Sequence, residues 1–134
     1  MKISSNDSCP CHSSQKYKKC CQPYHKGISP SNALKLMRSR YCAYALGLDD
    51  YIIQSTHCNN SDFTDDTLTW RSNIQAFCHE TTFNGLKILE FIDGDDTAYV
   101  TFEAFLNNQP FKEKSRFFKV NGKWLYESGE FLVP

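Results

Sequence analysis

The sequence predicts an α+β fold in which helices come first and an antiparallel sheet follows. In the first half of the chain, apolar residues recur at intervals of three and four, which is typical of helices. From Leu86 onward the interval changes to two, which is typical of strands with one buried face. Turn signals divide this second half, so we expect a meander of strands with the helices packed on one face.

The first long helix follows a segment, residues 22–29, that we interpret as a linker because proline and glycine interrupt it. The helix begins at Pro30 or Ser31, since proline is tolerated in a first helical turn, and Gly47 ends it. Its apolar positions are Leu34, Met37, Tyr41, Tyr44, Ala45 and Leu48.

Two further helices are each predicted to begin at a pair of aspartates. Asp49 or Asp50 caps a short helix that runs to about Thr56. After a polar loop, Asp65 or Asp66 caps the next helix. The apolar residues of this helix are Leu68, Trp70, Ile74, Phe77 and Cys78.

The strands are predicted from alternation and from the turns between them. The clearest apolar face consists of Ala98, Val100, Phe102, Ala104 and Leu106. Turn-forming residues occur at 93–96, at 107–110 and at 121–122. The last of these is Asn-Gly, which suits the type I′ turn of a two-residue hairpin, so it is the strongest signal.

Before the helices lies a stretch that contains four of the seven cysteines. Cys9 and Cys11 form a C-x-C pair, and Cys20 and Cys21 follow as an adjacent pair after eight polar and basic residues. Zinc gathers thiolates into a tetrahedron, and its binding can supply the folding energy of such a segment. We therefore predict that these four cysteines bind a structural Zn²⁺ ion.

The four-cysteine zinc site has alternatives, which are a histidine in place of one cysteine, structural disulfides, or a redox dithiol. His12 or His25 could replace one cysteine, because imidazole also ligates zinc. Structural disulfides require an oxidising compartment, but the chain opens without the apolar segment of a secretion signal, so we expect a cytoplasmic protein. A redox dithiol is more typically C-x-x-C, which is absent from the sequence.

The formal net charge is zero but unevenly distributed. Residues 1–27 contain five lysines and one aspartate, which gives +4, and the remainder carries −4. Four thiolates and one Zn²⁺ contribute −2, so the loaded segment is about +2. Lys16, Lys18 and Lys19 therefore predict nucleic-acid binding only weakly. No apolar run approaches the roughly 18 residues of a membrane span, so no membrane association is expected.

The cysteine stretch resembles a known zinc knuckle. Residues 9–21 read CPCHSSQKYKKCC and resemble the SEC-C motif, which also occurs at the C-terminus of the SecA translocation ATPase. That family usually has glycine where His12 and Ser14 stand here. The resemblance supports a set of four cysteine ligands.

The rest of the chain resembles the YchJ-like family of small bacterial proteins. The segments that carry this resemblance are LMRSRYCAYALGLDDYIIQSTH, NGLKILEF and EKSRFFKVNGKWLYESG. It implies a zinc knuckle and linker at 1–27 and a nuclear transport factor 2-like (cystatin-like) domain at 28–134. That fold is a curved sheet whose helices cover a cone-shaped cavity. Many members carry a second knuckle at the C-terminus, whereas this sequence ends at Pro134 without one. The resemblance implies no established activity.

Five polar or aromatic residues are candidates for lining that cavity. They are Arg38, Arg40, Tyr41, His57 and Arg116. Arg38 and Arg40 lie about 80° to either side of the helix's apolar stripe, so we expect neither to be fully buried. They either extend beside the core and pair with acidic residues, or bind an anion at the mouth of the cavity. Arg116 is placed at the cavity rim by a strand face that turns from charged to apolar.

His57-Cys58 and Cys78-His79 suggest a second metal site or a Cys/His nucleophile pair. Neighbours on a helix point about 100° apart, so a helical dipeptide cannot form its own dyad, and a pair across the two dipeptides requires a tertiary contact. We interpret Cys42 as a small buried hydrophobe. His57 could form an acid–base pair with Asp49, Asp50 or Asp62, by analogy of fold alone.

The sequence therefore favours a non-enzymatic module that presents a zinc knuckle to a protein partner. Four thiolates leave the metal no open position for a substrate, so the metal itself is expected to be structural. A cavity that binds or converts a small ligand is the alternative, and a nucleic-acid-associated knuckle is a weaker one.

Overall fold

The structure is a computed structural model that describes residues 3–132. Lys2, counted above with the basic end, and Pro134 lie outside the described residues. A 3₁₀ turn, Tyr17–Lys19, is followed by the helices α1 (Gln22–His25), α2 (Ala33–Leu46), α3 (Asp49–Gln54) and α4 (Thr67–Glu80). The strands are β1 (Phe83–Ile92), β2 (Thr97–Leu106), β3 (Gln109–Val120) and β4 (Lys123–Leu132). None of these helices combines the length and apolar character that a membrane span requires.

The strands form an antiparallel meander in the order β1-β2-β3-β4 within the described residues. Asn121 and Gly122 both have positive φ, 51° and 79°, as a type I′ hairpin requires. The hairpin before it is turned by Asn107 and Asn108, also with positive φ. The predicted turns and the α+β class are therefore confirmed. Bulges in β1 and between Arg116 and Phe117 interrupt the register, and bulges bend a strand and increase its twist.

The helices follow their predicted caps with three differences. Leu48 is the N-cap of α3 and no side chain caps this helix, so the predicted cap at Asp49 or Asp50 is wrong. Asn32, rather than a residue at 30–31, caps α2, and its side chain accepts a hydrogen bond from the Lys35 amide at 2.9 Å. Gly47 ends α2 in the left-handed conformation, with φ 72°. The segment interpreted as a linker contains helix α1, because Pro23 occupies its first turn, where a missing N–H costs nothing.

The core lies between α2 and one face of the sheet. Leu36 from α2 and Val100 and Phe117 from the sheet are fully buried, and each such side chain contributes roughly 1.5–3 kcal/mol. The buried cysteines of the N-terminal stretch and Tyr17 belong to the same apolar cluster. The knuckle is therefore packed against α2, and burial assists its folding to a greater extent than its polar sequence suggested.

Candidate metal centre and cavity

The four cysteines of the N-terminal stretch converge. The Sγ atoms of Cys9, Cys11, Cys20 and Cys21 all lie within 4.8 Å of one another, and three of the four residues are buried. Cys11 and Cys20 are 3.5 Å apart at sulfur, and Cys20 and Cys21 are 3.9 Å apart. A tetrahedron with metal–sulfur bonds of about 2.3 Å has sulfur–sulfur edges of about 3.8 Å. The donor set therefore fits a tetrahedral metal ion such as zinc.

Backbone hydrogen bonds bring the two pairs together. The Cys9 amide donates to the Gln15 carbonyl at 2.8 Å, which closes the loop between the pairs. Within this loop His12 and Ser14 have φ of 61° and 73°. These are the positions where SEC-C motifs usually have glycine, so the left-handed turn is kept here at the cost that a Cβ imposes. The Cys20 amide closes the 3₁₀ turn onto Tyr17.

Helix α2 supplies two groups that support the cluster. The Arg38 guanidinium donates to the Cys11 carbonyl at 3.1 Å and lies 3.9 Å from its sulfur. Cys42 is fully buried with its sulfur 3.9 Å from that of Cys9. No local spacing in the sequence links Cys42 to the knuckle, which explains why we interpreted it only as a small hydrophobe.

His25 connects the knuckle to α2, and both of its ring nitrogens are hydrogen-bonded, so neither is free to bind a metal ion. Its Nε2 donates to the Ser39 carbonyl at 2.9 Å, so the neutral ring accepts the Tyr17 hydroxyl at Nδ1, 2.6 Å away. Burial lowers the pKa of His25. His12 Nε2 lies 3.3 Å from the Phe83 carbonyl. Both histidines thus contact groups outside the cluster of sulfurs.

A cavity of about 560 Å³ lies between the helices and the inner face of the sheet. Its walls are mainly aromatic and aliphatic, with Tyr41 and Tyr44 from α2, Trp70 from α4, and Phe102 and Phe131 from the sheet. The Tyr41 hydroxyl donates to the Gly85 carbonyl at 3.0 Å, and burial raises the pKa of Tyr41 to about 12. The cavity is therefore an apolar site with a small number of polar groups, as ligand sites usually are.

Arg40 is one of two buried charges in this cavity. Its side chain is 7% exposed, contrary to the expectation that it lies beside the core. One terminal nitrogen donates to the Ile52 carbonyl and to the hydroxyls of Ser55 and Thr56, at 2.7–3.1 Å. The guanidinium also lies 4.6 Å from the centre of the Tyr126 ring. The last turn of α3 therefore folds around this cation, which a helical wheel cannot anticipate.

Glu113 is the second buried charge, and the sequence reading missed it. The residue is 9% exposed, and its Oε2 accepts hydrogen bonds from the Ser115 hydroxyl and, at 3.1 Å, from the Tyr126 hydroxyl. A Cβ on Gly129 would lie 2.6 Å from the Tyr126 hydroxyl and closer still to the carboxylate. The available signal was alternation, because Glu113 and Ser115 share the inward face of β3 with Phe117.

Family models match both parts of this architecture. The model of the middle, NTF2-like domain of YchJ matches residues 32–129, and the SEC-C motif model matches residues 6–23. The chain belongs to the YchJ-like family. This YchJ-like chain is 38% identical to a UPF0225 protein of Streptomyces coelicolor, over 92% of the chain and 95% of that protein. The predicted family and nuclear transport factor 2-like fold are therefore confirmed.

Solved structures with the same motif have the same fold. A SEC-C motif containing protein from Rhodopseudomonas palustris, solved in solution, matches with a TM-score of 0.82 and 31% identity, over 95% of this chain and all of that one. The crystal structure of a SEC-C motif containing protein from Psychrobacter arcticus matches with a TM-score of 0.79 and 27% identity, over 97% of this chain and 85% of that one.

The remaining cavity candidates lie elsewhere in the YchJ-like fold. Of the five, Arg40 and Tyr41 line the cavity, whereas Arg38 contacts the knuckle as described above. Arg116 lies on the opposite face of the sheet, where its bond to Glu127 at 2.8 Å lowers the pKa of that carboxyl. His57 packs on Phe118 and accepts a hydrogen bond from the Asn59 amide.

The Cys-His dipeptides do not come together as a catalytic pair. Among residues 3–132, the Cys58 sulfur lies 3.9 Å from His57 Nδ1 and 3.9 Å from Asn59 Oδ1, and no hydrogen bond joins it to Cys78 or His79. Asp49 and Asp50, considered as partners for His57, instead form ion pairs with Arg71 on α4. Asp62 lines the cavity.

Proposed function

We propose that the four cysteines hold one structural zinc ion, and that the protein is a non-enzymatic binding module built on this centre. The convergence of four sulfur atoms within 4.8 Å carries the proposal. Cys9, Cys11, Cys20 and Cys21 would fill a tetrahedral shell, leaving no open coordination position for substrate. The zinc would fix the loop that carries the exposed lysines.

Native mass spectrometry tests the zinc centre. We expect one zinc per chain in protein prepared without chelator. Changing Cys11→Ser should release it, because a hydroxyl is a poor ligand for zinc at neutral pH. Cys58→Ser is the matched control, since Cys58 is exposed and distant in sequence from the cluster. Metal-free protein that protects residues 3–22 from protease as well as the loaded form does would contradict a structural role.

The surface that we propose for a protein partner is the lysine patch, Lys16, Lys18 and Lys19. These side chains are exposed and border a shallow depression together with Gln15. The Tyr17 and Lys18 amides donate to the carbonyls of Asp7 and Ser5, both at 2.9 Å, so the backbone beneath the patch is fixed. A rigid cluster of positive charge is suited to an acidic segment of a protein partner.

Capture from a lysate of the source cell tests the lysine patch. The test variant changes all three lysines to glutamate, and the control changes three exposed lysines elsewhere, Lys35, Lys87 and Lys123. Proteins captured by the wild type and the control but lost with the test variant support the proposal. Identical capture by all three would contradict it, and capture abolished by nuclease would favour the nucleic-acid alternative.

A second function, binding of a small ligand in the cavity, is favoured by the two buried charges that line it. Arg40 and Glu113 are both more than nine-tenths buried, although neither forms an ion pair among the described residues. Ala104 lies on the cavity wall and is 2% exposed, so Ala104→Leu would reduce the space. We expect a small molecule to be released when wild-type protein from cells is denatured, and less from this variant. Equal amounts would contradict the proposal.

A further inference from the structure

We propose that the cavity binds a protonated amine on an apolar, ring-sized body, with the ammonium group against Glu113. This proposal deepens the second function above and rests on it. The cavity volume of about 560 Å³ leaves ample room for a ligand of that size.

The first argument for an amine ligand is that one carboxylate oxygen of Glu113 accepts no hydrogen bond from the described residues. Both hydrogen bonds that the carboxylate accepts, from Ser115 and Tyr126, go to Oε2, and among residues 3–132 none goes to Oε1. No lysine, arginine or histidine nitrogen in the described part of the chain lies within 4.0 Å of it. No side-chain oxygen or nitrogen of the described residues is both sealed from water and without a partner, so Oε1 is open to the cavity and can accept a further hydrogen bond. A ligand ammonium would provide the missing charge and a hydrogen-bond donor.

The surroundings of Glu113 are aromatic on both neighbouring strands. Its register partners are Phe102 on β2 and Phe131 on β4, and all three residues line the cavity. Phe111, two residues earlier on β3, packs edge-on against Phe131 with ring centres 4.7 Å apart. Aromatic faces attract cations, and they do so at exposed sites as well, which is the case for Phe111 and Phe131. Carboxylate and rings together therefore favour a cationic group over a neutral or anionic one.

Arg40 does not reverse this preference. Its three hydrogen bonds all come from one terminal nitrogen, Nη1, and with the Tyr126 ring they hold the guanidinium against the end of α3. The formally charged residues that line the cavity are Arg40, Asp62 and Glu113, one cation and two carboxylates. The lining is therefore −1, and a singly charged amine would neutralise it.

Gly129 shows that the backbone is adapted to hold the carboxylate in this position. It lies opposite Ser115 on β4, and the volume of its missing side chain is occupied by the Glu113 carboxylate and the Tyr126 hydroxyl. Any other residue at position 129 would displace the Glu113 carboxylate, which is the group that we propose binds the ligand ammonium.

Calorimetric titration with three matched probes tests the proposal. The probes are 3-phenylpropylamine, 3-phenylpropan-1-ol and 3-phenylpropanoate, which differ mainly in charge. For the wild type at pH 7 we expect the amine to bind at least tenfold more tightly than the alcohol, and the carboxylate most weakly. Glu113→Gln should abolish the preference for the amine. Glu103→Gln, which removes the same charge from the opposite face of the sheet, should retain it.

The outcomes separate this proposal from the one on which it rests. Equal binding of amine and alcohol overturns the amine assignment but leaves ligand binding by the cavity standing. Tighter binding of the carboxylate overturns it in favour of an anion at Arg40. Failure of all three probes to bind the wild type overturns the amine assignment, while a co-purified molecule would still support the cavity as a site. The comparison of probes on the wild type decides the matter even if Glu113→Gln fails to fold.

Discussion

Replacing Gly129 with alanine should destabilise the fold through Glu113. The new Cβ would lie 2.6 Å from the Tyr126 hydroxyl and even closer to the carboxylate, so both groups must move. Overpacking of this kind costs roughly 1–3 kcal/mol. Each hydrogen bond to the carboxylate contributes about 1.5–3 kcal/mol, and the shift would weaken two of them. We expect a loss of about 2–4 kcal/mol in the free energy of unfolding, because water in the cavity would replace part of these bonds.

Urea unfolding followed by tryptophan fluorescence measures this loss, since Trp70 and Trp124 are both buried. A double-mutant cycle with Glu113→Ala identifies its cause. With the carboxylate removed, the cost of Gly129→Ala should fall below about 1 kcal/mol, because most of the clash is gone. A cost that is the same in both backgrounds would refute the role of Gly129 in housing Glu113, and so would a cost of less than about 0.5 kcal/mol in the wild type.

Three further predictions concern the knuckle and the core. Arg38→Ala should speed zinc transfer to a chromophoric chelator, because the Cys11 carbonyl loses its hydrogen bond from the Arg38 guanidinium. A transfer rate equal to that of the control variant Lys35→Ala would contradict this prediction. Because burial lowers the pKa of His25, the folded state binds fewer protons than the unfolded one, so stability should fall as pH decreases below about 6.5. Urea titrations at pH 8 and pH 6 should show a smaller loss of unfolding free energy for His25→Gln than for the wild type. An equal loss in the two proteins would refute the role of His25. Phe117→Ala should cost about 3–5 kcal/mol in urea unfolding, and a loss below about 1 kcal/mol would contradict its central place in the core.

Local signals predicted the elements of this fold well. The Asn-Gly turn, the glycine that ends α2 and the aspartate that caps α4 depend on backbone preferences within a few residues. The cysteine spacing likewise predicted which sulfur atoms converge, because short loops restrict where each pair can reach. Helix α1 was not predicted, because proline usually interrupts a helix, although proline is well tolerated in the first helical turn.

The groups brought in by packing could not be predicted in this way. Arg40 is buried because α3 folds back over it, and Cys42 meets Cys9 across 33 residues of sequence. Glu113 required both the inward parity of β3 and its register against Phe102. Periodicity gives the face of an element but not the neighbour that contacts it, so the two buried charges of the cavity, Arg40 and Glu113, became apparent only from the assembled fold.

Zinc-edge X-ray absorption spectroscopy on protein purified without chelator tests the central claim most directly. If one zinc ion binds Cys9, Cys11, Cys20 and Cys21, the spectrum should fit four sulfur atoms at about 2.3 Å and no nitrogen. A fit that requires a nitrogen at about 2.0–2.1 Å, or protein that retains no zinc, would contradict it.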